Sequence, residues 1–283
     1  MNRWITGSIV LLLLLPFPLA AEGIVNLVVQ GNEVSAGISL PLNITADLKI
    51  TFEQVEGLTP ESIGLSATLV SLTDPGLLAR LQEAQALIPP ALPMLLRIAP
   101  PANGGLSFQG VTTIELHTHL LPFTVNTPLR LFAAEEGGPF RDITASVGMG
   151  SYRCTGRKGS FSEFLILVDL RGVNRVITRK LDNLDQLLAD NEASIDPAVF
   201  SDLAELAAEI RSRYSAGQTQ TAITKTEQFV ALVQTHSGTA IPNVWRSTRD
   251  LTNVAGLLRA AGDTLRFSLI VKTQKSGLPG GLP

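Results

Sequence analysis

The sequence predicts an α+β chain of two domains: an N-terminal antiparallel, Ig-like β-sandwich with a helical insertion, followed by an all-α four-helix bundle. Three observations predict it. From Ile24 to about Leu170 the apolar residues recur with a period of two; after Gly172 the period becomes about 3.6; and no strand–helix–strand alternation occurs that would build a parallel sheet. At 283 residues the chain is long enough for two cores. Hydrophobic residues make up 45% and charged residues 17%, which excludes intrinsic disorder. The net charge of −3 gives no basic footprint, so nucleic acid is excluded as a partner class.

Residues 1–21 read as a signal peptide. Arg3 supplies the positive n-region, Ile9 to Leu15 the apolar h-region, and Leu19-Ala20-Ala21 a small-residue cleavage site. The apolar run falls short of the ~20 residues that span a bilayer, and no later stretch replaces it. The expectation is therefore an exported chain, periplasmic or secreted, without a transmembrane anchor after cleavage. Cys154 is the single cysteine, so an intramolecular disulfide is impossible and stability must come from burial.

The sandwich is predicted over 22–171. Ile44, Ala46, Leu48, Ile50 and Phe52 alternate with polar or small residues. So do Ile63, Leu65, Ala67 and Leu69, and then Ile114, Leu116, Thr118 and Leu120. Phe164 to Val168 is apolar on both faces and reads as a central strand. Residues 74–101 read as a helical insertion. Asp74-Pro75 opens a helix through Leu87-Ile88, Pro89-Pro90 stops it, and Pro93 opens a second turn over Met94 to Ile98. Its apolar content makes Met94 and Leu95 candidate partner contacts.

The bundle is predicted over 172–272. Val176, Ile177, Leu181, Leu184 and Leu188 mark its first helix. Asp196-Pro197 caps a second, which carries Leu203, Ala207 and Ile210, and Ala222, Phe229 and Val233 mark a third. Pro242 opens a fourth with Leu251, Val254 and Leu258. Leu265 to Val271 fits either a strand or an extension of the last helix. Residues 273–283 read as a flexible tail. Residues 24–170 hold 13 acids and 8 bases, while residues 171–283 hold 11 acids and 13 bases, so the two halves are electrostatically complementary.

Leu129 to Thr144, Gly150-Ser-Tyr-Arg153, Gly159 to Phe164 and His236 to Arg246 together resemble a group of exported bacterial proteins with a domain of unknown function. The Lys180-Leu181-x-x-Leu184 helix, followed by Ala222, Phe229 and Val233 before a Ser-Gly turn, loosely resembles FIMAH-type helical modules. These are packing positions, so that resemblance implies an accessory module and no catalytic residue.

Chemistry-bearing patterns are sparse. Glu115, His117 and His119 share one face of a strand, and two imidazoles with a carboxylate can ligate a transition metal. A solvated strand face explains the same spacing. Gly148-Met-Gly150-Ser151 is half of a nucleophile elbow, Arg157-Lys158-Gly159-Ser160 has the wrong order for a phosphate loop, and Asp190 to Asp196 lacks the calcium-loop glycine. Trp245 could stack on a sugar or a partner, with Arg246 and Arg249 beside it for an anionic group, but Trp245 reads first as an anchor of the bundle against the sandwich. The resulting reading is an exported, non-enzymatic envelope or surface protein that acts as an interaction or structural module and takes no cofactor. Its partner is then a protein or another envelope component. A carbohydrate-binding or adhesive module and a metal-assisted hydrolase built on His117 and His119 are the alternatives.

Overall fold

The computed structural model describes residues 23–81 and 85–276; the proposed signal peptide and residues 277–283 lie outside them. Two antiparallel sheets face each other across one core. The first begins as a meander, β1 (Ile24–Gln30), β2 (Glu33–Leu40) and β3 (Ile44–Glu56). The chain then enters the second sheet with β4 (Leu65–Leu69), helix α1 (Pro75–Leu81), β5 (Ala86–Leu87) and β6 (Met94–Ile98). It returns as the long β7 (Ser107–Pro122), then crosses to β8 (Leu129–Ala134) and β9 (Arg141–Asp142). The hairpin β10 (Thr144–Gly148) and β11 (Ser151–Lys158) closes sheet one, and β12 (Glu163–Asp169) runs through sheet two. Sheet one is ordered β1-β2-β3-β7-β11-β10 and sheet two β4-β6-β12-β8-β9, with β5 on β12. These strand numbers and the opening meander depart from the seven-strand immunoglobulin plan.

The alternation that predicts the strands also makes the core. Ile44, Ala46, Leu48, Ile50 and Phe52 point inward from β3 and meet Leu65, Leu96, Leu131, Phe164 and Ile166 of the facing sheet. As read from its sequence, β12 is buried along most of its length.

The helical insertion expected at 74–101 is corrected. Its helix is confined to Pro75–Leu81 within the described residues, and Met94–Ile98 is a strand paired with both β4 and β12. Met94, Leu96 and Ile98 face the core while Leu95 and Arg97 are half-buried, a period of two hidden inside an apolar run. Apolar runs of this length do not declare their period until a partner strand is known.

The self-contained four-helix bundle is also overturned. Helices α2 (Val173–Asn191), α3 (Pro197–Ser215) and α4 (Thr219–His236) follow in order, with Asp196 accepting from the N–H groups of Ala198 and Val199 at the start of α3. The chain then goes back to sheet one. β13 (Val244–Arg246) pairs with β7 before α5 (Val254–Ser276) begins. Helices and strands are thus interspersed. Pro242 precedes a strand because Trp245 belongs in the sandwich, stacked on Phe108 at 5.3 Å and edge-on to Phe161 at 5.0 Å.

Helix α5 contacts β7, β10 and β11 as well as α2 and α4. A helix enclosed on several sides carries small and apolar residues around its circumference, which blurs its amphipathic stripe and lets Leu265 to Val271 look strand-like. Backbones meet closely at its start: a Cβ on Gly256 would come within 2.6 Å of the Gly110 carbonyl oxygen. Asn253 Nδ2 donates to that same oxygen at 2.6 Å, and Arg259 makes two 2.7 Å bonds to Glu53. Residues 273–276 continue this helix, so the expected flexible tail does not start at 273.

Candidate functional site

The outer face of sheet one carries the predicted histidine cluster. Ile114 and Leu116 of β7 are buried inward, which turns Glu115, His117 and His119 outward. The same parity on β3 turns Asp47 and Lys49 outward, and the register places Asp47 opposite His117 and Lys49 opposite Glu115. Asp47 Oδ2 lies 3.4 Å from His117 Nδ1 and 3.2 Å from His119 Nε2. The two imidazole centroids are 4.4 Å apart. On its far side His117 Nε2 meets Ser151 Oγ of β11 at 2.6 Å. An open groove of about 420 Å³ beside the cluster is lined by Asn26, Ser35, Asp47, Lys49, Glu115 and His117.

The carboxylate that joins the histidines is therefore Asp47, not Glu115. Glu115 Oε1 sits 3.6 Å from Arg153 Nε instead. Asp47 is 70 positions away from His117, and only strand register brings them together. An outward acid in the Ile44–Phe52 alternation was the available signal, but without register it matched many acids.

The predicted contact residues are scattered. Trp245 and Met94 are buried in the sandwich core, and Leu95 is half-buried against a small cluster around Phe132. Arg246 is exposed and faces Asp250 at 3.5 Å, while Arg249 holds a left-handed φ of 59° in the following turn. The structure does not join these residues into one site.

A second polar centre lies under the helices, and sequence reading missed it. Lys180 of α2 and Asp142 of β9 are both buried and 2.7 Å apart. Lys180 Nζ also donates to Thr264 Oγ1 at 2.6 Å, Ser268 Oγ at 2.9 Å and the Thr264 carbonyl at 3.1 Å, while Thr144 N–H donates to Asp142 Oδ1 at 2.9 Å. Burial by itself raises the Asp142 carboxyl, but Lys180 and the Thr144 bonds outweigh it and hold the carboxyl below its ordinary range. Nearby, Cys154 is sealed in the sandwich, and burial pushes its thiol up to about 12. Such a thiol is a packing group, as its strand parity with Tyr152 suggests.

The model of a family of unknown function, DUF6689, matches residues 9–272. The chain belongs to the DUF6689 family. No curated protein matches it. The resemblance to an uncharacterised domain is thereby shown.

In this DUF6689 chain three adjacent loop segments at one end of the sandwich carry no charged residue, although Arg130, Asp169 and Arg171 lie close to one of them. Leu40 pairs with Ile44 across the β2–β3 turn, Ala46 lies opposite Thr118, and Ser151 lies opposite Pro122. That register sets the β2–β3 turn, the exit of β7 and the β10–β11 turn side by side. Phe123 N–H donates to the Gly150 carbonyl at 3.0 Å and ties the last two together. Segments 36–46, 120–129 and 143–152 contain no Asp, Glu, Lys or Arg. Their tips present Leu42, Val125 and Met149, exposed to 82%, 78% and 86%. Leu42 adopts a φ of 64°, a left-handed conformation that costs a side chain with Cβ about 1–2 kcal/mol.

Proposed function

We propose that this DUF6689 chain is an exported, non-enzymatic envelope protein that rests three uncharged loop tips at a lipid–water interface. The carrying observation is the set of three adjacent tips bearing Leu42, Val125 and Met149 with no charge among them. Scattered exposed apolar residues are ordinary on protein surfaces. Three on neighbouring protrusions, one of them in a strained backbone conformation, are not. Protruding single side chains suit a deformable hydrocarbon phase better than a flat protein surface, which needs a broad complementary area. No helix among the described residues is long and apolar enough to cross a membrane, so contact of this kind would be peripheral.

Each apolar side chain moved fully out of water contributes about 1.5–3 kcal/mol, so three give reversible attachment. Trp245 and Tyr152, two aromatics that a carbohydrate-binding module could use, are both buried, while the loops at the end of the sandwich stay exposed. The test is flotation of the mature chain with neutral phosphatidylcholine vesicles. Wild type should float with the vesicles, and the combined Leu42→Ser, Val125→Ser and Met149→Ser variant should lose at least about tenfold in partitioning. Equal flotation of the two proteins, or none of either, overturns the proposal.

A further inference from the structure

We infer that Asp47, His117 and His119 form a binding site for one divalent transition-metal ion, with zinc as the reference ion. This rests on the outer face of sheet one and is independent of the lipid reading. The three side chains can each offer a ligand atom, and those atoms lie within 4.8 Å of one another. Zinc bonds to imidazole nitrogen and carboxylate oxygen are about 2.0–2.1 Å, so the edges of a tetrahedral site are about 3.3–3.4 Å. Asp47 Oδ2 stands 3.4 Å from His117 Nδ1 and 3.2 Å from His119 Nε2, which are two such edges.

Asp47 and His117 are directly paired on adjacent strands of sheet one, and His119 is two residues along the same strand face. His117 Nε2 is engaged by Ser151 Oγ at 2.6 Å. In the tautomer whose Nε2–H donates to that oxygen, the Nδ1 lone pair is turned toward the Asp47 carboxylate and is free to ligate a metal. The Ser151 contact then serves as the outer partner that ligating histidines use to fix ring orientation.

The charges around the site divide. Arg153 Nη2 lies 3.4 Å from His117 Nδ1 and competes for that lone pair, while Glu115 stands ready to draw Arg153 aside. Lys49 is occupied by Glu33 at 2.8 Å. Two imidazoles and one carboxylate favour zinc, copper(II), nickel or cobalt over calcium or magnesium. Asp47 and His119 are exposed, so the remaining coordination positions face solvent and would be filled by water.

The experiment is zinc titration of the untagged mature chain by calorimetry, with bound metal counted after dialysis. One zinc per chain is expected. The His117→Ala/His119→Ala variant should lose binding, and Asp47→Asn should weaken it. Removing the outer contact with Ser151→Ala should weaken it about 10–100-fold. Arg153→Ala should strengthen binding, a gain that general damage to the fold would not produce. Circular dichroism melts keep the test clear of misfolding, because the altered side chains all lie on the outer face. Absence of stoichiometric zinc, uptake unchanged in the double-histidine variant, or loss on Glu115→Gln with none on Asp47→Asn overturns the assignment.

Discussion

Asp142 and Asp47 are both carboxylates set against nitrogen groups, and their surroundings are opposite. Asp142 is buried between β9 and α2, and its lysine partner is saturated by Thr264 and Ser268. Asp47 lies in the open on sheet one, shared by two imidazoles that have no comparable cage. A buried pair of charges persists only when its remaining hydrogen-bonding capacity is met, and it then resists change. An exposed cluster contributes little to stability. The first centre joins the helices to the sheets. The second lies on the exposed outer face of sheet one.

Removing one partner of the inner pair should break this contrast most visibly. Lys180→Met leaves an uncompensated buried carboxylate and should cost about 3–5 kcal/mol in urea unfolding. Replacing both, as Asp142→Asn with Lys180→Met, should cost less than the sum of the single changes, because no lone charge is left behind. A double variant as unstable as that sum would show that the pair is not coupled.

The inner pair also sets a pH response. The folded carboxyl of Asp142 lies below its unfolded value near 3.9, so the stability it supplies is present above that pH and is lost as pH falls through the folded value. Wild type should weaken below about pH 4 more steeply than Asp142→Asn. Parallel acid transitions would remove Asp142 as a contributor.

Smaller effects sharpen the outer side. Leu42→Gly relieves a left-handed conformation and should raise stability by up to about 1 kcal/mol while weakening vesicle flotation. A stabilised variant that still floats as wild type would separate the strain from any role at a lipid surface. His117→Ala with His119→Ala should change apo-protein stability by no more than about 0.5 kcal/mol, as ordinary surface substitutions do.

Much of the sheet pattern was legible in the sequence because a half-buried strand writes its inside and outside alternately. Ile44 to Phe52 and Ile114 to Leu116 show it, and α2 and α3 show their own period equally plainly. Met94–Ile98 was opaque because its flanking prolines and continuous apolar run suit a helix turn as well as a strand. Val244–Arg246 has three residues, too few for any period, and its strand state comes wholly from pairing with β7. At the candidate metal centre, the histidines were visible as neighbours on one strand. Asp47 was not, because register between distant strands is a tertiary fact. The ion pair of Asp142 and Lys180 was hidden for the same reason.

The return of the chain to sheet one through β13 and α5 has a consequence for how the protein comes to be. Glu53 meets Arg259 across a separation of 206 residues, and Gly110 waits for Asn253. The seam between layers cannot close until nearly the whole polypeptide has been delivered, whatever compartment receives it. Folding dominated by such distant encounters is slow. Until α5 arrives, the faces of β7, β10 and β11 that it covers stay open to water and to other chains, so this helix acts as the clasp that ends that vulnerable interval.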